Sequence, residues 1–336
     1  MHFSLVKISP DDSPAHGFDD AMLPLFFALR SLGYEVEILY NRSNPASRNI
    51  VFGSCFAPRR VGRGLPPGSI IFNLEQIVEG SKWANRDYLA HLRDFTVWDY
   101  SPGNIKALER AGIAGAGLVP PGYVPEMTRI RRDSVQDVDV LFYGLINDRR
   151  HAAIKSLCDA GLKVLATQEA FGNLRDALLA RSRLLLNVHY YLPAKLEIVR
   201  LGYAFANGKA VVAEWRDDTE IPAGLEGACA FFPYEELVNG ARQLLADADL
   251  RKKQEREAFA AFAAMPLAKN LERVVGRRVF SAGRGTAAVK EAGVEKDESG
   301  GAGSAGGTEE NSGAPGRTEP GSGVILPEWL IVGDIR

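Results

Sequence analysis

Glu197 and Arg200 stand three residues apart in Leu196-Glu-Ile-Val-Arg200, a spacing that puts both side chains on one face of a helix. They lie between two apolar β-type runs, Leu184–Val188 and Ala210–Ala213, with His189 and Tyr190 closing the first. A strand, loop, helix, strand unit of this kind gathers its polar groups at one end, where open parallel sheets keep their ligands. There a carboxylate can accept two hydroxyl hydrogen bonds, and a guanidinium can grip an oxyanion through two parallel bonds. Two more cations, Arg149 and Arg150, follow Gly144 and Asn147 at an expected helix start, where free backbone N–H groups also favour an anion. The competing structural readings are solvated helix-terminal arginines for that pair, an i,i+3 ion pair for Glu197 and Arg200, and a hydrogen-bonded structural histidine for His189.

Residues 1–280 alternate short β-branched runs with helical patterns, the rhythm of parallel α/β layers. The first half offers strands at Phe3–Ile8, Glu35–Tyr40, Asn49–Phe52, Ser69–Phe72 and Thr96–Trp98, with helices at Ala21–Leu32 and Asn104–Ala111. The rhythm breaks at Pro120-Pro-Gly-Tyr123 and the charged Thr128–Asp137. It resumes with strands at Val138–Tyr143, Leu162–Ala166, the Leu184 and Ala210 runs, and an edge strand at Phe231–Pro233. Helices at Leu237–Leu245 and Asp249–Ala264 follow, then Leu267–Arg278, which is expected to pack back across the junction. The domains read as 1–125, 126–280 and a Gly-rich tail over 281–336, expected to be disordered because it has few large apolar residues to offset the entropy of ordering. Its last apolar piece, Val324–Val332, reads equally as a docking segment or a frayed end.

A chain of 336 residues, 46% hydrophobic, is long enough for two ordinary domains, and its net charge of −2 does not suggest a nucleic-acid binder. Cys55, Cys158 and Cys229 are odd in number and far apart, which argues against a disulfide framework or a zinc site and fits a reducing cytoplasm. No signal-peptide pattern opens the chain and no apolar run reaches spanning length, so a soluble protein is expected, with peripheral membrane contact left open. A dinucleotide-binding turn needs G-x-G-x-x-G directly after a strand; the first such loop has only Gly17, and Gly112, Gly115 and Gly117 follow a helix at the wrong spacing. Gly208-Lys209 leads into Ala210, and Gly202 is one position too far away for a P-loop. No G-x-S-x-G elbow is present. Asp137-Val-Asp139 has the form of a metal-binding pair but opens a strand, away from the C-terminal end, so no metal or other cofactor is expected.

Asp139-Val-Leu-Phe-Tyr-Gly-Leu-Ile-Asn-Asp-Arg-Arg150 resembles the opening strand and phosphate loop of the nucleotide-binding domain in GT-B glycosyltransferases. Leu186–Tyr191, Leu196–Arg200 and Ala206–Glu214 resemble the donor-site strand, helix and following strand of bacterial group 1-like members. The resemblance runs over about residues 1–280 and is strongest from 138 to 220. It implies two Rossmann-like parallel-sheet domains facing across a cleft, a nucleotide-diphosphate sugar as substrate, and a glycan, lipid-linked or small-molecule acceptor. One departure stands out. Where retaining enzymes of the group often carry two glutamates eight positions apart, counting back from Gly208 gives Tyr203 and Lys195, so retaining chemistry is not carried over.

On that resemblance Gly144, Asn147, Arg149, Arg150, His189, Tyr190, Glu197 and Arg200 become donor-site candidates, with Glu197 for the ribose and the arginines for the diphosphate. A base must also activate the acceptor. His16, Asp19 and Asp20, in the first loop, are the candidates, although the two acids could instead serve the dipole of the helix they begin. Asn73, Glu75 and Asp99 end strands toward the cleft, where each could hold an acceptor or serve the fold. The expected activity is sugar transfer without a metal, within polysaccharide or glycan biosynthesis. A noncatalytic nucleotide-sugar-binding scaffold and a sugar-nucleotide epimerase of the same architecture are the alternatives.

Overall fold

Each apolar run of the first half forms a parallel strand. They are β1 (His2–Lys7), β2 (Glu35–Tyr40), β3 (Arg48–Phe52), β4 (Ile70–Asn73), β5 (Thr96–Asp99) and the two-residue β6 (Gly117–Leu118). They make one sheet in the order β2-β1-β3-β4-β5-β6. Helices α1 (Asp19–Ser31), α2 (Pro58–Gly64), α3 (Arg86–Arg93) and α4 (Pro102–Arg110) connect them. The computed structural model describes residues 1–9, 15–56, 58–81, 83–131, 135–192 and 195–276. The tail expected over 281–336 and its apolar piece lie outside the described residues.

The second series is β7 (Val138–Tyr143), α5 (Asp148–Asp159), β8 (Val164–Thr167), α6 (Gly172–Arg181), β9 (Ser182–Asn187), α7 (Ile198–Ala206), β10 (Ala210–Glu214) and β11 (Ala230–Phe232). Its sheet is also parallel, in the order β11-β10-β9-β7-β8. Then come α8 (Leu237–Ala246), α9 (Ala248–Ala263) and α10 (Leu267–Val275). In both sheets the first strand sits between the second and the third, so strand order reverses beside β1 and beside β7. The loops that leave those positions diverge and open a crevice at the strands' C-terminal ends.

Side-chain caps explain why the key helices start where they do. The Asn147 side chain accepts from the Arg150 N–H at 3.0 Å, and the Ser101 hydroxyl accepts from the Asn104 N–H at 3.0 Å, each satisfying an orphan donor of the first turn. In α7 every residue except Val199 and Arg200 is buried, so the helix is enclosed on nearly all sides and Arg200 is left at its N-terminal end. The last helix, α10, packs against the first half of the chain. Its Leu271 and Val274 are buried, Asn270 Nδ2 donates to the Pro120 carbonyl at 2.9 Å, and Arg48 Nη1 donates to the Val275 carbonyl at 2.8 Å. Helices α2, α3 and α6 also form, in stretches for which the sequence pattern predicts no element. They are 7, 8 and 10 residues long.

Candidate active site

The polar groups converge at the C-terminal edge of the second sheet. Gly144 follows β7 with φ +128°, a conformation that favours glycine, and a Cβ there would collide with the Arg200 guanidinium. The backbone thus comes close to the cation with no side chain between them. Arg200 reaches this point from the first turn of α7, where it forms an ion pair with Glu197. Glu197 also pairs with Arg150 Nη2, so its carboxylate stands between two guanidinium groups. Burial alone would raise its pKa, but the two positive charges outweigh burial and hold it below the ordinary glutamate value.

The two neighbouring arginines have separate surroundings. Arg150 is 1% exposed; its Nε donates to the Val188 carbonyl and its Nη1 to the Leu145 carbonyl, both at 2.8 Å. It thereby ties the loop after β7 to the loop after β9. Arg149 forks onto Glu214 at the end of β10, with Nη1 2.5 Å from Oε2 and Nη2 paired to Oε1. Its guanidinium carbon lies 4.1 Å from the Tyr234 ring centroid. Glu214 is fully buried and also accepts the His189 N–H at 3.1 Å. The His189 ring sits between the Lys195 carbonyl (3.2 Å) and Thr219 Oγ1 (3.3 Å), and burial lowers its pKa below the ordinary histidine value. The Tyr190 carbonyl accepts from Asn147 Nδ2 at 3.2 Å, and its ring centroid lies 5.1 Å from the Arg150 guanidinium carbon.

One set of atoms at this edge is buried yet has no hydrogen-bond partner among the described residues. It comprises the Tyr143 hydroxyl and both side-chain polar atoms of Asn187. Glu197 Oε2 and Arg200 Nη1 have no contact of their own beyond the ion pair they share. Tyr143 and Asn187 are the last residues of adjacent parallel strands, three and two positions beyond the paired Val140↔Leu184 and Leu141↔Leu185. They are therefore neighbours on one face of the sheet. Arg200 lies over Tyr143, 5.4 Å from its ring centroid. Desolvating an amide without a bond costs about 1–3 kcal/mol, so unpaired polar groups gathered in one place mark a site that expects a ligand or ordered water.

The first domain meets this edge through its leading loop and α1. His16 has a 69% exposed side chain, its Nδ1 3.6 Å from Asp19 Oδ2, and its ring centroid lies 5.8 Å from that of Phe171 in the second domain. Asp19 Oδ1 pairs with the buried Lys7 ammonium at 2.7 Å. Asp20 crosses to the second domain and pairs with Arg175. Asn73, Glu75 and Asp99 form a connected group. Asn73 Nδ2 donates to Asp99 Oδ2 at 2.6 Å and to the Glu75 carbonyl at 2.9 Å, while Glu75 Oε1 lies 3.5 Å from Cys55 Sγ. Asp99 is fully buried and its pKa is pushed up to about 7, because burial outweighs the bonds from Asn73, the Ser101 N–H and Asn104 and the charge of Lys195. Asp137 pairs with Arg181 and Asp139 with Arg183 at the far end of β7. Among the described residues no group of three His, Cys, Asp or Glu side chains could hold a metal ion.

Sequence reading missed Tyr143, Asn187 and Glu214. Each ends an otherwise apolar run, which was the available signal: a polar residue closing a buried strand faces the crevice. It also missed the Lys195–Glu220 pair of the second domain and Ser101 of the first, which joins that pair only through docking of the two domains.

No protein-family model matches the chain. Over 121 residues it is 32% identical to the uncharacterized protein L138 of Acanthamoeba polyphaga mimivirus, a match covering 34% of this chain and 13% of that protein. Among solved structures it is similar to Anabaena HepE in complex with UDP and glucose, with a TM-score of 0.57 and 12% identity over 81% of this chain and 98% of HepE. It is also similar to WaaG, a glycosyltransferase involved in lipopolysaccharide biosynthesis, with a TM-score of 0.54 and 13% identity over 82% of this chain and all of WaaG (100%). At these identities the likeness is one of fold, the two parallel-sheet domains of the GT-B architecture.

Proposed function

We infer, with the GT-B fold of this chain as the premise, that it is a glycosyltransferase taking a sugar from a nucleotide-diphosphate donor at the C-terminal edge of its second sheet. The observation that carries the reading is the gathering there of unpartnered buried polar atoms, on Tyr143 and Asn187, beside the Glu197–Arg200 ion pair and the close turn at Gly144. The UDP and glucose bound to HepE support a nucleotide sugar as the ligand class.

The Glu197–Arg200 pair offers a partner for both kinds of group that such a donor presents. Opening it frees a carboxylate to accept the two ribose hydroxyls and a guanidinium to grip the diphosphate, so ligand contacts replace protein contacts and charge stays balanced. The first-turn N–H groups of α5 add to the anion site. Arg149 and Arg150, held by Glu214 and by backbone carbonyls, shape the walls and contribute positive potential. During transfer an acceptor hydroxyl attacks the anomeric carbon, the bond from that carbon to the diphosphate oxygen breaks, and the acceptor proton passes to His16, with Asp19 beside it. Negative charge grows on the leaving diphosphate and is met by Arg200 and backbone N–H groups, without a metal. Asn73, Glu75 and Asp99 lie on the acceptor side.

A panel of UDP-, GDP- and dTDP-sugars, followed by thermal shift and by nucleotide release, tests donor choice and turnover together. Arg200→Ala and Glu197→Gln are expected to weaken nucleotide binding by about 10- to 100-fold, the worth of one charge-assisted bond. Gly144→Ala should do the same by displacing Arg200. Absence of stabilisation by every nucleotide overturns the reading.

A further inference from the structure

The segment that carries Glu197 is fastened to the opposite domain by a cluster that the transfer chemistry does not use. Lys195 Nζ donates to Ser101 Oγ at 2.8 Å, across the cleft at the start of α4, and lies 3.3 Å from Glu220 Oε2. Ser101 Oγ in turn donates to Glu220, 2.9 Å from Oε1, and the Gly103 N–H donates to the same oxygen at 3.3 Å. A Cβ on Gly103 would strike the Glu220 carboxylate and come within 2.8 Å of Lys195 Nζ, so glycine is what lets the domains meet this closely. The contact is supported from both sides. In the first domain Asp99 accepts the Ser101 N–H at 2.8 Å. In the second, the Lys195 carbonyl is bonded to the His189 ring and the Leu196 N–H donates to the Glu220 carbonyl at 3.4 Å. Two residues after Lys195 comes Glu197.

We propose that Ser101, Lys195 and Glu220 are positioning residues for the donor site: their clasp joins the two domains and fixes residues 195–197, so that Glu197 is held ready for ligand. The proposal rests on the donor-binding reading. If the clasp is released, the segment samples other arrangements, and affinity falls by the fraction of molecules in the competent one. Because that fraction depends on the first domain, donor binding and domain closure are coupled through groups whose contacts are to one another across the two domains.

The test uses the full chain with spin labels on Glu109→Cys and Asp217→Cys, both exposed and on opposite domains, and with the half-buried Cys158 changed to Ser. Binding of UDP, GDP and dTDP is measured by calorimetry, and the label separation by pulsed electron spin resonance. Lys195→Met and Ser101→Ala are expected to weaken binding of the preferred nucleotide tenfold or more and to broaden the distance distribution. Lys195→Arg and Ser101→Thr, which keep the cation and the hydroxyl, should preserve both. Glu220 has a 31% exposed side chain, so water can solvate the carboxylate left alone in Lys195→Met, and that variant keeps its fold. Nucleotide binding of unchanged strength in Lys195→Met, or an unbroadened distribution, overturns the clasp while leaving the donor site standing. An intact protein that binds none of the three nucleotides overturns the donor reading and the clasp with it.

Discussion

Replacing Arg149 by Met separates a structural from a ligand-binding use of this side chain. The substitution keeps the aliphatic stem and removes the guanidinium that both Glu214 oxygens contact. Glu214 is fully buried, so its carboxylate loses its counter-charge in a place water does not reach. Breaking a buried ion pair from one side costs about 3–5 kcal/mol. The lost stacking of the cation on Tyr234 adds about 0.5–1 kcal/mol. Arg149 is itself 26% exposed, and water entering the vacated space offsets part of this, which places the expected loss near 3 kcal/mol. The second substitution is Glu214→Gln, which removes the stranded charge and keeps an amide oxygen for the His189 N–H. The double variant should therefore recover roughly 2 kcal/mol relative to Arg149→Met alone. Urea unfolding with a common slope gives these differences directly from the midpoints. The reasoning is refuted if Arg149→Met loses less than about 1 kcal/mol, or if the double variant is no more stable than the single one.

Asn187→Leu removes a buried amide that has no partner among the described residues, so the unliganded protein should melt higher, by roughly 1–2 kcal/mol of added stability, while nucleotide affinity falls. A variant that binds nucleotide as tightly as the parent would detach Asn187 from the site. Asp99 predicts a pH effect of definite sign. Its native pKa of about 7 lies above the unfolded value near 3.8, so the folded state holds the proton more tightly. The associated stability is fully present below about pH 3.8 and is lost as pH rises to 7, with an upper magnitude of about 4 kcal/mol. Stability of the parent measured from pH 4 to 8 should fall relative to Asp99→Asn over that window, and parallel curves for the two proteins would contradict the burial argument.

Local pattern carried much of this molecule. The alternation of β-branched runs with amphipathic stretches fixed two parallel α/β layers, because strand and helix periods are properties of neighbouring residues. The same holds for the turn at Gly144 leading to the Asn147 cap, and for Glu197 and Arg200 at a three-residue spacing. Sequence could also place these groups at strand ends, since a parallel sheet puts every strand's C-terminal loop on one edge. It could not say which groups meet. Arg149 and Arg150 are adjacent in the chain, yet one turns to Glu214 across 65 residues and the other to Glu197 across 47. Strand order decides that division, because β10 and β9 lie on the same side of β7 at different distances. Lys195 and Ser101, 94 residues apart, meet because the two sheets dock against each other. Contacts of that kind depend on the burial of whole domain faces rather than on local spacing, and they were decided by the tertiary structure alone.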